Sequence, residues 1–115
     1  MRVFVSFLKS PVGTTYYLEG LRIALGIVGG DDDHTVEVAF IGKGARSAMK
    51  GVDKSYGKGL FDMFQKNPAG KLFYVEKESL EDQGISESEL DENYQVASRE
   101  ELSKKMFSAD VTMSF

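Results

Sequence analysis

The 115-residue chain contains no cysteine. That excludes disulfides, thiolate zinc sites, iron–sulfur ligation and any thiol or persulfide nucleophile. Tryptophan is also missing and histidine occurs once, as His34, so much nucleophilic and metal chemistry lacks its usual residues. No apolar run approaches the ~20 residues a membrane-spanning helix requires. After Arg2 the first apolar stretch reaches only Leu8 before Lys9, which is not the shape of a signal peptide. A cytoplasmic protein with no membrane attachment is the expectation. An excess of positive charge is lacking too: 14 Lys and Arg against 18 Asp and Glu leave a net charge of −4. Sequence-independent binding to nucleic acid or an anionic membrane therefore has no electrostatic drive, and direct nucleic-acid binding is not expected.

What is present suits a single globular domain over residues 1–115. Hydrophobic residues make up 42% and charged residues 28%, ordinary values for such a chain. A domain of this size buries ~65% of the surface its unfolded chain exposes. No internal repeat, low-complexity segment or Pro/Ser-rich linker divides it.

Along the chain, apolar runs alternate with helical patterns. Val3 to Leu8 reads as a buried strand, and Ser10-Pro11-Val12-Gly13-Thr14-Thr15 as the turn after it. A helix is expected to start at Thr14 or Thr15, either hydroxyl being able to cap exposed backbone N–H groups. Leu18, Leu21, Leu25 and Val28 then share one face, and Gly29-Gly30 ends the helix by adopting the left-handed conformation. Thr35 to Ile41 is a second strand, β-branched and apolar as a buried parallel strand is. Gly42 to Gly51 reads as a turn and short helix carrying Ala45, Ala48 and Met49. Tyr56 to Gln65 reads as a helix with Leu60, Phe61 and Phe64 at helical spacing, stopped by Asn67-Pro68. Lys71 to Glu76 supplies a third strand, and Leu80 to Gln83 a short helix stopped by Gly84. Ser86 with Glu89, and Ser98 with Glu101, have capping-box spacing. The second opens a helix over Arg99 to Phe107, with Leu102 and Met106 inward. Tyr94 to Ala97 and Asp110 to Phe115 complete the strands. Such alternation favours a parallel sheet with helices on both faces, a three-layer α/β/α sandwich.

Several segments offer chemistry, each with a plainer reading. Ser10, Gly13, Thr14 and Thr15 bring hydroxyls and backbone N–H groups to a helix N-terminus, which suits a phosphate or carboxylate; the plain reading is a capped βα turn. Its spacing loosely resembles the phosphate turn of flavodoxins, yet no tryptophan is available to sandwich a flavin, and no cofactor is expected. Gly42-Lys43-Gly44-Ala45-Arg46 fits neither the Walker nor the dinucleotide glycine pattern. Lys43 is a secondary anion contact there, or simply a solvated cation. Asp31-Asp32-Asp33-His34 lacks EF-hand spacing and reads as a solvated acidic turn, not a metal site. Glu76-Lys77-Glu78-Ser79 follows a strand; alternating charge predicts a solvated helix entry, with Ser79 capping the next turn. No partner in the sequence makes Glu76 catalytic. Tyr16, Tyr17, Phe61 and Phe64 are either a stacking surface or core and interface residues.

With these segments placed, the chain resembles the DsrE/DsrF-like family of small sulfur-relay proteins, and within it the TusC/DsrF type. The matching pieces, in family order, are Ser10-Pro11-Val12-Gly13-Thr14, Glu19-Gly20-Leu21, Phe40-Ile41-Gly42-Lys43-Gly44, Met49-Lys50-Gly51, Val75 to Ile85 and Ala109 to Phe115. The resemblance implies a five-stranded, mainly parallel sheet in an α/β/α domain. It also implies assembly, either as a homo-oligomer (trimer or hexamer) or with a cysteine-bearing DsrE-type paralogue. In active DsrE-type subunits a persulfide-forming cysteine follows the third strand; aligned on Gly84, that position here is Glu76. A carboxylate cannot hold a sulfane sulfur. The resemblance therefore implies a non-catalytic structural or regulatory subunit linked to tRNA thiolation or sulfur metabolism. The alternative is a small-ligand protein binding an anion or nucleotide through the turn after the first strand.

Overall fold

The computed structural model describes residues 1–30, 34–66 and 73–115. Among them, five strands form one parallel sheet: β1 (Arg2–Phe7), β2 (Thr35–Phe40), β3 (Phe73–Glu76), β4 (Gln95–Ala97) and β5 (Val111–Ser114), in the order β4-β3-β2-β1-β5. The helices are α1 (Tyr16–Val28), α2 (Lys58–Lys66), α3 (Lys77–Asp82) and α4 (Arg99–Ser108). A 3₁₀ turn spans Gly42–Ala48 and another, Ser55–Gly57, leads into α2. The α/β/α sandwich expected from the alternating pattern is the architecture observed. No helix among the described residues is long and apolar enough to cross a membrane.

Strand side chains alternate between two cores. Val3, Val5 and Phe7 of β1, Val36, Val38 and Phe40 of β2, and Phe73 and Val75 of β3 face α1, α2 and the 3₁₀ turn after β2. Aromatic rings knit this layer: Phe7 stacks on Phe40 with centroids 4.8 Å apart, and Phe64 stacks on Phe73 at 5.1 Å. The opposite layer is smaller, comprising Phe4, Ala39, Tyr74, Ala97 and Leu102, with Met106 and Ala109 of the α4 region packed against it. Each fully buried Phe, Leu or Val contributes roughly 1.5–3 kcal/mol relative to exposure. The strands carry most of this, which is why they read so clearly.

Two close approaches set how the first layer packs. A Cβ on Gly20 would lie 2.3 Å from Phe7 Cε1, and a Cβ on Gly44 would lie 1.9 Å from the Phe7 carbonyl oxygen. Gly20 thus lets α1 settle directly on the β1 ring, and this corrects the expected helix face. The inward row is Tyr17, Leu21, Ala24 and Val28, while Leu18 and Leu25 are only partly buried on the flank.

The helix ends also differ from expectation. Thr15 is at the N-cap of α1, but no threonine hydroxyl accepts a backbone N–H there. Instead Thr14 Oγ1 donates to the Ser10 carbonyl at 2.6 Å, and Thr15 Oγ1 donates to Glu19 Oε1 at 3.3 Å. Gly29 caps the other end in right-handed geometry (φ −87°), not the left-handed form expected, because its N–H already reaches the carbonyls of Leu25 and Ile27. α3 begins at Lys77, three residues earlier than its apolar residue Leu80 suggested. Both boxes do form caps: Ser86 and Glu89 exchange reciprocal bonds, and Ser98 Oγ accepts the Glu101 N–H at 3.1 Å. Asp31 to Asp33, the Asn67-Pro68 stop, and Lys71 and Leu72 of the expected third strand lie outside the described residues.

Candidate functional site

In a parallel sheet all carboxyl ends share one edge, where open α/β folds place ligands. Here the turn after β1, the 3₁₀ turn after β2 and the end of β3 meet at that edge. Gly13, Thr14 and Thr15 border a cleft of about 450 Å³ together with Pro11, Val12, Leu18, Asp53 and Tyr56. Ser10 and Lys43 do not line it; Ser10 accepts the Val12 N–H at 3.3 Å, and Lys43 is exposed on the neighbouring turn. The structure therefore gathers three of the five expected contacts. Two of the turn's hydroxyls already donate, Thr14 to the Ser10 carbonyl and Thr15 to Glu19 on α1, and Tyr56 Oη donates to the Pro11 carbonyl at 2.7 Å. Asp53 is the cleft's charged lining residue, and hydrogen bonds from Ser55 hold its carboxyl below the ordinary range. Its charge opposes an anion rather than attracting one.

Glu76 ends β3 and is buried, with 3% of its surface exposed. The expected solvated helix entry is thus corrected at its first residue. Ser79 Oγ donates to Glu76 Oε1 at 2.6 Å. Arg99, at the start of α4, donates from Nη2 to Oε1 at 3.1 Å and from Nε to Oε2 at 3.3 Å. Ser79 does not cap a helix; its hydroxyl also accepts the Gly42 N–H at 2.8 Å, tying α3 to the turn after β2. The Arg99 backbone N–H donates to Glu78 Oε1 at 2.9 Å, which holds the Glu78 carboxyl below its usual range. The Glu76 hydrogen bond and charge raise the Arg99 pKa still further above its ordinary value. Burial of a carboxylate is tolerated only where its charge is paired and its oxygens are bonded, and both conditions hold. The arrangement neutralises a charge and joins three elements. Its oxygens are already engaged by an arginine and a serine, so they do not form a general acid–base pair.

A second cleft, of about 340 Å³, opens beside α1 and α2. Tyr17, Phe61 and Tyr94 form its aromatic wall, with Lys54, Ser55, Lys58, Asp62, Asp91 and Asn93 around them. Of the four aromatics considered from sequence, Tyr17 and Phe61 come together here; Tyr16 is on the surface and Phe64 is in the core. Lys54, Asp91 and Tyr94 carried no sequence signal. Lys54 Nζ donates to Asp91 Oδ2 at 2.8 Å, to the Met49 carbonyl at 3.3 Å and to the Ser47 carbonyl. It also lies 5.4 Å from the Tyr94 ring centroid. Burial pushes the Tyr17 hydroxyl up to about 12 and the Tyr94 hydroxyl well above 10.

No group of three or more His, Asp or Glu among the described residues is placed to hold a metal ion. His34 Nδ1 lies 3.1 Å from the Met1 amino group, at the opposite end of the sheet from Glu76.

The model of a family described as the DsrE/DsrF-like family matches residues 1–115. Among solved structures, the ychN protein from E. coli is similar over 100% of both chains, with a TM-score of 0.79 at 16% identity. The protein of unknown function MTH1491 from Methanobacterium thermoautotrophicum is similar over 97% of both, with a TM-score of 0.76 at 13% identity. At such identities the likeness is one of fold. No curated protein matches the chain.

Proposed function

The chain belongs to the DsrE/DsrF-like family, and from that premise we propose that it is a non-catalytic, oligomer-forming member, a structural or regulatory subunit linked to sulfur relay. The observation that carries the reading is at the end of β3. Where the family resemblance calls for a persulfide-forming cysteine, this chain has Glu76, bonded by Ser79 and Arg99. With no cysteine anywhere in the sequence, it can neither hold nor pass on a sulfane sulfur. A subunit of this kind would act beside a cysteine-bearing DsrE-type paralogue, or as a trimer or hexamer of its own.

The test is affinity purification of the tagged chain from its native cell, with sedimentation of the purified protein. The reading expects a multimer, and a cysteine-bearing family member retained with the tag. A strictly monomeric chain that retains no sulfur-relay protein would remove it.

A further inference from the structure

We propose that β5, at one edge of the sheet, is a docking strand for β5 of a second copy of this chain, the two running antiparallel about a two-fold axis beside Met113. The inference rests on the oligomer-forming reading and adds to it a surface and a partner. It starts from the backbone groups of the edge. Among the described strands β5 pairs only with β1. The Phe115 N–H donates to the Ser6 carbonyl at 2.8 Å, and the Phe115 carbonyl accepts the Leu8 N–H at 2.6 Å. Phe115 thus turns its backbone toward β1. Backbone groups alternate sides along a strand, so those of Thr112 and Ser114 point away from β1, and both residues are exposed. Natural sheets blunt such an edge with lysine, proline, a bulge or a very short strand. β4, at the other edge, has three residues. β5 has four, Val-Thr-Met-Ser, with no charge and no proline.

The strand is complementary to itself. In an antiparallel pair, opposed residues whose backbones face each other exchange both N–H···O bonds. With the axis beside Met113, Thr112 lies opposite Ser114 of the second copy, and Ser114 opposite Thr112 of the second copy. The outward N–H and C=O groups of both residues then gain partners. Thr against Ser is among the cross-strand pairs that stabilise sheets. On the face toward α1, Met113 meets Met113 of the second copy, and Val111 meets Phe115, a β-branched residue against an aromatic one. Val111 and Met113 already border a groove of about 360 Å³ with Met1, Val3 and Ile27, and Ile23, one turn before Ile27 on α1, is exposed. A two-fold axis normal to the sheet puts both copies of this apolar strip on the same side, where they cover each other. The strip is uncharged, so its match is another uncharged strand, and β5 itself supplies one with both faces in register.

Sedimentation equilibrium of the full chain tests this. The wild type is expected to form a dimer, or a larger even-numbered assembly, with a Kd of about 100 μM or tighter. Thr112→Lys/Ser114→Lys sets like charges opposite each other in both pairs and should weaken association at least about tenfold. Thr112→Lys/Ser114→Glu sets opposite charges there and should restore it. Both positions are exposed, so thermal midpoints should stay close to that of the wild type. Because the chain has no cysteine, Met113→Cys adds a single thiol, and this register brings the two copies of that position to a Cα separation of about 4.5 Å. Mild oxidation should link that variant into a disulfide dimer, and Thr112→Cys should link far less. Should the double-lysine variant not fold, the cross-linking comparison decides alone. Weaker wild-type association, equal assembly by wild type and the double-lysine variant, failure of the Lys/Glu variant to restore it, or equal linking of the two cysteine variants would each overturn the proposal. A multimer indifferent to the charge variants would put the contact on another surface and leave the oligomer-forming reading standing. A monomer that still retains a cysteine-bearing family member would overturn the β5 contact alone.

Discussion

The Arg99 guanidinium lies along the buried Glu76 carboxylate, bonding both oxygens from the other side of a strand-to-helix junction. Arg99 itself is 59% exposed and Glu76 only 4% by side chain, so the two residues contribute unequally. Replacing Glu76 by Gln keeps the shape but removes the charge that both partners address, and should cost about 1–3 kcal/mol. Arg99→Leu should also lower the urea midpoint, because it leaves the carboxylate buried with Ser79 alone. Denaturant unfolding of the two single variants and the double variant measures the coupling; strictly additive losses would mean that the pair does not act as one.

Alkaline pH should destabilise the fold over a defined window. The Tyr17 hydroxyl has a folded pKa of about 12 against an ordinary 10.0, so the unfolded chain loses that proton first. Its contribution is fully present below pH 10 and disappears as pH rises toward 12, amounting to roughly 2–3 kcal/mol. Tyr94 acts in the same direction. Absorbance titration of the tyrosines, with unfolding measured at pH 9 and 11.5, checks this. In Tyr17→Phe the loss should be smaller.

On the acid side the sign reverses. Glu78 is held below its ordinary 4.5 by the Arg99 backbone N–H, so its contribution is present above that value and is lost as pH falls through the lower folded value. Glu78→Gln should flatten the decline in urea midpoint below pH 4.5 relative to wild type. An unchanged acid limb would show that the hydrogen bond at the start of α4 does not form in solution.

Gly44 sits with its α-carbon against the Phe7 carbonyl, so Gly44→Ala must move backbone rather than a side chain. The expected loss is about 3 kcal/mol or more. Gly51, around which a Cβ meets nothing within 4 Å, provides the control, and Gly51→Ala should change stability by no more than about 0.5 kcal/mol.

Ser98 caps α4, which covers the smaller of the two cores. Ser98→Ala should cost about 1 kcal/mol, and Ser98→Asp should restore most of it. Circular dichroism with thermal unfolding follows both.

Local chemistry was legible in the sequence, and geometry between distant segments was not. β1 and β2 announce themselves because Val3 to Phe7 and Val38 to Phe40 are buried on both faces, which favours largely apolar runs; only Ser6 and the half-buried Glu37 interrupt them. The Ser86–Glu89 capping box and the Ser98 cap were readable because donor and acceptor are three residues apart. The α1 face was not, since its rotation depends on Gly20 meeting Phe7 across a layer boundary. The Glu76–Arg99 and Lys54–Asp91 pairs join residues 23 and 37 positions apart, a separation over which charge alternation carries no pairing information. Hydroxyl spacing points to the turn after β1, but the threonines donate to nearby oxygens. The second cleft leaves no local sequence pattern because its polar members come from three separate loops and helices.

The strand order has a consequence for how the chain folds. Val3 pairs with Val36 on one side and with Val111 on the other. The first pairing closes a modest loop; the second closes one that spans almost the entire sequence, at a greater though slowly growing entropic cost. Contacts this distant slow folding, and β1 keeps an open row of backbone donors and acceptors until β5 arrives. A nascent or truncated chain lacking residues 111–114 would present that row to any passing strand. Self-association through β1 is thus a hazard that pairing of β1 with β5 removes.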